Sequence, residues 1–366
     1  MFLIYSLSRG GAERVTATLA NAMAARGHDV VIVLQDAAIP PAYDLDMRVT
    51  VAPLHASAPT ASPARPAPLR MMRDIAALRA VLRHERPDLA IGMMNTAAIL
   101  LGLARIGLRG CFVGAERVYP PAVPLPRAWA LLRPWAYGLL DAVAVQTRKA
   151  AEWVRHWTRA REVCVIGNPV ARLTLGEAEP APANMLPTDA KLVLAAGRLV
   201  SQKRLDHAIT AFAQALGTAS DWHLAIIGDG PLRADLIAMG QALAPGRVHL
   251  VGNVGQPGDW FERAEVFLLT SQFEGMPNAL MEAMAHGTAP IAYDIDTGPA
   301  DLIDNGTSGW LVPAGDLAVL TARLAELAGA APMRRGMQTQ AAAIVDRFAV
   351  DAIVDQWLAL ARPHGA

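Results

Sequence analysis

The sequence predicts two doubly wound α/β domains, each a parallel sheet covered on both faces by helices. Three observations point there. The chain has 366 residues, more than one hydrophobic core ordinarily serves, so two domains of usual size are expected. Short apolar runs alternate with helical patterns from end to end, the mark of successive βα units. A proline-rich break at 169–190, holding Pro169, Pro180, Pro182 and Pro187, interrupts that alternation near its middle and reads as a linker. The expected division is 1–168 for the first domain and 191–347 for the second, with 348–366 crossing back to the first.

The elements follow in order. Phe2 to Leu7 is an apolar strand, Ala12 to Arg26 a helix, and Val30 to Leu34 a second strand after the Gly27-His28-Asp29 turn. This is a βαβ opening. Residues 53–68 are rich in Pro and Ala without either period and are expected to form a loop. Leu69 to Arg86 is a basic helix stopped by Pro87-Asp88, before a strand at Leu89 to Met93. Gly110 to Ala115 and Ala142 to Gln146 continue the strands. The second alternation starts at Lys191 with LVLAAG and adds strands at His223 to Ile227, Val248 to Val251, Val266 to Thr270 and Ala289 to Ala292. Helices at Leu205 to Leu216, Leu232 to Leu243, Pro277 to Ala285 and Asp316 to Leu327 separate or follow them. Phe348 to Ala361 is amphipathic through Ile353, Trp357 and Leu360.

Composition narrows the function classes. At 53% hydrophobic and 18% charged residues, the chain can fill two cores and is not a disordered one. Charge is unevenly spread. Residues 1–170 carry 20 Lys and Arg against 12 Asp and Glu, and the remainder 13 against 21. A basic first half suits an anionic acceptor or membrane surface, and also an ordinary uneven surface; it does not establish nucleic-acid binding, and none is expected. Cys111 and Cys164 lack metal-ligand spacing and are expected as buried thiols in a reducing compartment. The start MFLIYSLSRGG has no basic segment and a short apolar run, so it reads as a strand and not a signal peptide. No window reaches the roughly 18 apolar residues a membrane span needs, which leaves a cytoplasmic chain with at most peripheral contact at the inner face of the membrane.

The chemistry concentrates in Glu274-Gly-Met-Pro-Asn-Ala-Leu-Met-Glu282. Pro277 suits the first helical position, so the amides of Asn278, Ala279 and Leu280 are expected to open a helix and attract phosphate. Glu282, a turn and a half in, leans back toward that mouth, because helical side chains tilt toward the N-terminus. Carboxylates bind hydroxyls and repel phosphate, so Glu274 and Glu282 flanking an anion site fit a nucleoside diphosphate sugar. Arg198 and Lys203 follow the strand LVLAAG, at the sheet end where ligands bind in such folds. Cations placed there stabilise a departing diphosphate more than the bound substrate.

Weaker signals surround these. Gly228-Asp229-Gly230 begins like a dinucleotide fingerprint, but Arg233 stands where its third glycine belongs, so a tight turn is expected. Gly252 and Asn253 end the following strand and can face a base, and Gly228 is expected among the donor-binding residues. Gly10-Gly11 fits both a phosphate-approach loop and a bare turn. Glu116-Arg117 ends a first-domain strand and is expected to face the acceptor or to form a surface ion pair. The pairs Asp44/Asp46 and Asp294/Asp296 lack supporting ligands and read as structural, so no metal and no cofactor is expected.

Taken together these features resemble glycosyltransferase family 4, the retaining enzymes of GT-B fold. SLSRGGAERV, GRLVSQKRLD, GDGP, FEGMPNALMEAMAHG and DTGPADLIDNGTSGWLVPAGD match its motifs in order over nearly the whole chain. The resemblance implies two Rossmann-like domains facing across a cleft, with the acceptor on the first and the donor on the second. It implies that Glu282 binds the donor ribose, Glu274 the transferred sugar, Arg198 and Lys203 the diphosphate, and Gly11 the donor phosphate or the acceptor. Retention without metal is implied too, by front-face attack in which the leaving phosphate oxygen takes the acceptor proton. Many relatives carry His where this chain has Glu116. UDP is the commoner nucleotide in the family, and the forms SRGGAER and GAERVYP are similar to members that extend lipid-linked bacterial glycans. Leu69 to Arg86, with Arg70, Arg73, Arg79 and Arg83 beside Met72, Ile75, Leu78 and Leu82, and Ala128 to Leu140, with Trp129, Arg133, Trp135 and Tyr137, resemble interfacial helices, and packing of both on the first domain's sheet is the alternative. The expected activity is transfer of a hexose or N-acetylhexosamine from a UDP-sugar to a saccharide or lipid-linked saccharide; a nucleotide-sugar 2-epimerase of the same fold and a non-catalytic sugar-nucleotide-binding protein are the competing readings.

Overall fold

The computed structural model describes residues 1–361 apart from 9, 56–66, 174, 177, 178 and 218–220; most of the loop expected at 53–68 thus lies outside the described residues. The chain forms two compact units, Met1–Pro169 with Ala349–Ala366, and Val170–Phe348.

The first unit contains β1 (Phe2–Ile4), α1 (Gly11–Ala25), β2 (Val30–Leu34), β3 (Val49–Pro53), α2 (Ala67–Glu85), β4 (Leu89–Met93), α3 (Asn95–Ala104), β5 (Cys111–Glu116), α4 (Arg127–Leu139), β6 (Ala142–Val145), α5 (Arg148–Trp157) and β7 (Val163–Val165). Its sheet is parallel in the order β3-β2-β1-β4-β5-β6-β7. Central strands such as β4 are buried along their whole length, which is why they read as unbroken apolar runs and not as alternating ones. Helix α3 escaped the sequence reading for a related reason. Its NTAAILLGLA is buried on nearly every side, so no polar face marks a helical period. Strand β1 stops at Ile4, shorter than the apolar run suggested.

The second unit contains β8 (Lys191–Ala196), α6 (Leu205–Leu216), β9 (Trp222–Ile227), α7 (Arg233–Leu243), β10 (Val248–Gly252), α8 (Gly258–Arg263), β11 (Val266–Leu269), α9 (Asn278–Ala285), β12 (Ala289–Asp294), α10 (Pro299–Leu302), β13 (Trp310–Pro313), α11 (Leu317–Gly329), α12 (Ala331–Ala342) and α13 (Ile344–Arg347). All pairings are parallel in the order β10-β9-β8-β11-β12-β13. Helix α11 is capped by Asp316, whose Oδ1 accepts from the Val319 amide at 3.0 Å, satisfying one of the four orphan donors of a helix start.

The expected linker is not a free tether. Val170 and Leu186 are buried in the second unit's core, and the Trp260 indole donates to Pro180 O at 2.8 Å. Prolines remove backbone donors without preventing their carbonyls and rings from packing, so composition alone misread this stretch. The last helix, α14 (Val350–Ala359), belongs with the first unit. Arg26, just past α1, pairs with Asp351 at 2.7 Å and Asp355 at 2.6 Å, while Ile353, Val354 and Trp357 are buried. Truncating a fully buried Trp costs about 3–5 kcal/mol, so Trp357 fixes the crossover more firmly than these exposed ion pairs do.

Candidate active site

The strand order places one switch point in each sheet. From β8 the second unit's chain winds outward through β9 and β10, then returns to lay β11 on the other side of β8. The loops leaving β8 and β11 therefore diverge, and a crevice at the carboxyl ends is where such folds bind ligands. The first of these loops carries Arg198 and Lys203, and the second carries Glu274 and leads into α9 at Asn278.

Backbone bonds knit the edge together. Gly197 N donates to Ile227 O at 2.9 Å, Leu199 N to Asp229 O at 3.0 Å, and Gly228 N to Gly252 O at 2.7 Å. Gly228 has φ +130°, and a side chain there would strike Gly197 O; glycine is required by both conformation and contact. Gly228 thus holds up the Arg198 loop. Arg233, the residue that spoils the dinucleotide fingerprint, donates to Leu250 O at 3.0 Å and supports the end of β10. Asn253, just beyond, is exposed.

Lys203 ends a 3₁₀ turn at Ser201–Lys203, and its ammonium donates to Glu274 Oε1 at 2.5 Å. Ser271 Oγ donates to the same oxygen at 2.6 Å. The two residues the sequence assigned to diphosphate and sugar are therefore also partners of each other. Glu274 Oε1 is engaged, which leaves Oε2 as the carboxylate oxygen for a further donor, and two of the three lysine protons stay available. The side chains retain 18% and 12% exposure, enough to reach a ligand. Arg198 is exposed, and its guanidinium has no side-chain partner among the described residues.

Helix α9 begins at Asn278, with Pro277 as its cap residue. The amides at its tip are not equivalent: Leu280 N donates to Pro277 O at 3.1 Å, so the expectation that Leu280 offers a donor to phosphate is corrected by a tight first turn. Asn278 and Ala279 precede it at the mouth. Glu282, one turn further on, is nearly buried at 7% exposure. Residues that sequence reasoning missed fix this geometry. Gln202 Nε2 donates to Phe273 O at 2.6 Å, Thr270 Oγ1 to Lys203 O at 2.8 Å, and Thr297 Oγ1 to Glu274 O at 2.6 Å. The one signal available was a cluster of hydroxyl residues just past strand ends.

The first unit has its switch point between β1 and β4. Gly10 lies before α1 and exchanges two hydrogen bonds with the Tyr43 hydroxyl, at 3.0 and 2.8 Å; Gly11 is the exposed first residue of that helix. Across the switch point Met94, at the end of β4, has φ 76° and ψ 160°, a backbone region that is nearly glycine-only and that clusters at functional sites. No sequence pattern announces it.

Glu116 and Arg117 require correction. They were expected at the acceptor face or as a surface ion pair, yet both are buried, at 1% and 5% exposure. Tyr137 on α4 donates to Glu116 Oε2 at 2.5 Å, and Arg133 lies 3.7 Å from the same oxygen. Burial pushes the Glu116 carboxyl up to about 7, against the opposing pull of Tyr137 and Arg133. Arg117 bonds Asn168 Oδ1 at 2.6 Å and lies over Trp357, 5.8 Å from the ring centroid; burial lowers it to about 10. The physical reason is position in a doubly covered sheet, where residues at a strand end can turn under the neighbouring helix.

The interfacial expectation is also narrowed. Arg133 and Tyr137 are buried, as are Leu78 and Leu82 of α2, and Arg79 donates to Ala104 O at the end of α3 and to Ile106 O just past it. What stays exposed is Arg127, Leu131 and Trp135 along one side of α4, and Leu69, Arg70, Met72 and Arg73 on α2. No described helix is long and apolar enough to cross a membrane.

A helix start, a lysine–carboxylate pair and an exposed arginine thus stand at the ends of the strands beside the second sheet's switch point, in a chain of two doubly wound α/β units. Comparison with known families agrees: the profile for Glycosyltransferase Family 4 matches residues 9–172 and that for Glycosyl transferases group 1 matches residues 179–343. The chain belongs to these glycosyltransferases and has the GT-B fold. It is 26% identical over 364 residues to a Campylobacter jejuni N-acetylgalactosaminyltransferase named for an undecaprenol-linked acceptor, covering 98% of this chain and 97% of that protein. It is 34% identical over 225 residues to a Streptomyces coelicolor exopolysaccharide phosphotransferase, covering 60% of this chain but 23% of that protein. Among solved structures, Anabaena HepE with UDP and glucose matches at TM-score 0.76 and 17% identity, over 98% of this chain and 97% of that one.

Proposed function

We propose that the chain is a retaining, metal-independent glycosyltransferase. It takes a hexose or N-acetylhexosamine from a UDP-sugar held at the carboxyl edge of the second sheet and passes it to a saccharide, in the first instance a lipid-linked one. The observation that carries this reading is the 2.5 Å pair between Lys203 and Glu274, which joins the loop that also carries Arg198 to the loop that leads into α9. As the bond between the anomeric carbon and the β-phosphate oxygen breaks, negative charge grows on the diphosphate; cations already in place favour that state. Glu274, with one oxygen holding Lys203 and Ser271, suits a sugar hydroxyl better than it suits nucleophilic attack. The acceptor oxygen then bonds to the anomeric carbon on the face the phosphate leaves, and its proton passes to the departing phosphate oxygen. The UDP complex of HepE and the undecaprenol-linked acceptor of the Campylobacter relative support the choice of nucleotide and acceptor class. Exposed Leu131 and Trp135 with Arg127 on α4 support contact with the inner face of an anionic membrane.

A thermal-shift panel of UDP-hexoses and UDP-N-acetylhexosamines tests the donor, because a ligand of the folded state raises its apparent stability. One UDP-sugar is expected to raise the melting temperature, and its product with a saccharide acceptor to keep the donor's anomeric configuration by NMR. No shift with any nucleotide sugar, or an inverted product, overturns the reading; a 2-epimer formed without acceptor identifies an epimerase instead. Activity is expected to survive chelator, and complete loss restored by a divalent ion would contradict metal independence.

A further inference from the structure

Arg204, directly after Lys203, has φ 46° and ψ 43°, the left-handed region that a residue with a Cβ occupies only when its surroundings compel it. Among the described residues only Arg86 and Met94 share a positive φ without being glycine. The conformation links two elements. Arg204 N donates to Ser201 O at 3.2 Å, closing the 3₁₀ turn that carries Lys203, and His207 N donates to Arg204 O at 2.9 Å, opening α6. Lys203 O is meanwhile fixed by Thr270 Oγ1 at 2.8 Å. If residue 204 left the left-handed region, the 3₁₀ turn and α6 could not both keep these bonds, and the lysine would swing away from Glu274.

The side chain supplies what compels it. Arg204 Nε lies 3.2 and 3.3 Å from the two carboxylate oxygens of Asp206, and Nη2 is 3.2 Å from Oδ2. Nη2 also meets His207 Nε2. On its other side the His207 ring shares a hydrogen bond with the Tyr293 hydroxyl, Nδ1 to oxygen at 2.6 Å. Tyr293, at the end of β12 and 2% exposed, is the fixed end of this chain of bonds.

We propose that Arg204 is a positioning residue, whose anchoring through Asp206, His207 and Tyr293 holds the left-handed turn that places the Lys203 ammonium for the donor's diphosphate. The proposal rests on the donor reading above. It assigns Arg204 to backbone geometry and not to contact with phosphate, and the two roles predict opposite orders among substitutions. Glycine accepts a left-handed conformation without anchors, alanine does not, and lysine keeps only the charge.

Binding of UDP and UMP to the full chain, measured by calorimetry, separates these cases, since only UDP has the β-phosphate. The wild type is expected to favour UDP, and Lys203→Ala to cut that preference at least tenfold while Arg198 remains. Arg204→Ala should cut the UDP-over-UMP ratio about tenfold, because a left-handed penalty without anchors lowers the competent fraction. Arg204→Gly should stay within about twofold of wild type, and Arg204→Lys should behave like alanine. Tyr293→Phe, which removes one hydroxyl, should lower the ratio about two- to threefold and serves if the alanine variant folds poorly. Loss in Arg204→Gly with retention in Arg204→Lys overturns the positioning role in favour of direct charge contact. Unchanged ratios in Arg204→Ala and Tyr293→Phe, with the Lys203→Ala effect intact, overturn the turn alone. No UDP preference in the wild type brings down the donor reading, and the turn's role with it.

Discussion

At the end of β8, Lys203 and Glu274 meet at 2.5 Å with 18% and 12% of their side-chain surface still open; at the end of β5, Glu116 keeps none and is closed over by Tyr137 and Arg133. Both sites are charged pairs at the carboxyl edge of a parallel sheet. The first can exchange a partner for a ligand, because water already reaches it. The second cannot without unpacking α4, so its groups are bound to structure, and a buried carboxyl must take up a proton or be paired. Strand-end charge therefore marks a candidate site only where the neighbouring helix leaves it uncovered. The same contrast explains why the first unit, the more basic by sequence, offers less visible machinery than the second.

Substitutions test that contrast, in order of expected size. Lys203→Ala should lower turnover about 10²–10³-fold while leaving the melting temperature close to wild type. A large loss of stability with turnover intact would make the pair structural, like its counterpart in the first unit.

Glu116 should report through pH. Its folded-state value near 7 lies above its ordinary 4.5, so the folded form binds the proton more tightly. Stability from this group is full below pH 4.5 and is lost as pH rises through 7. The swing is about 3 kcal/mol at 1.36 kcal/mol per unit. Denaturant unfolding of Glu116→Gln between pH 4.5 and 7.5 should be flatter by that amount, and an unchanged slope would show that Glu116 titrates as an exposed group does.

Tyr137→Phe removes the donor to Glu116 and should cost about 1–2 kcal/mol without altering UDP affinity; a change in UDP affinity would give this cluster a role at the site. The smallest stability effect belongs to Trp135→Ala, within about 0.5 kcal/mol at an exposed position. Its effect should appear as weaker flotation with anionic liposomes at low salt. Equal flotation of the wild type and the variant would remove α4 from any membrane contact.

Much of this was readable beforehand. The βα alternation, the two units and the crossover of the last helix follow from residue types and spacing, and Lys203 and Glu274, both singled out there, meet at 2.5 Å, because a strand end and a helix start are written locally. Glu116 and Arg117 were misjudged, and for Arg133 and Tyr137 the packed alternative holds, because nothing in these segments says which face a neighbouring helix covers. Helix α3 was missed, and the burial of Val170 and Leu186 was not foreseen, for the complementary reason: a segment surrounded by protein shows no period, and proline content does not disclose burial.

The sequence by itself determined which chemical groups stand at the strand ends and in what order, since hydrophobic period and turn residues act over a few positions. Only the tertiary structure decided which of them remain reachable, that Lys203 and Glu274 hold each other, and that Arg204 adopts a left-handed turn braced by Tyr293, 89 residues away by number. Those outcomes depend on contacts between distant segments, which no local pattern encodes.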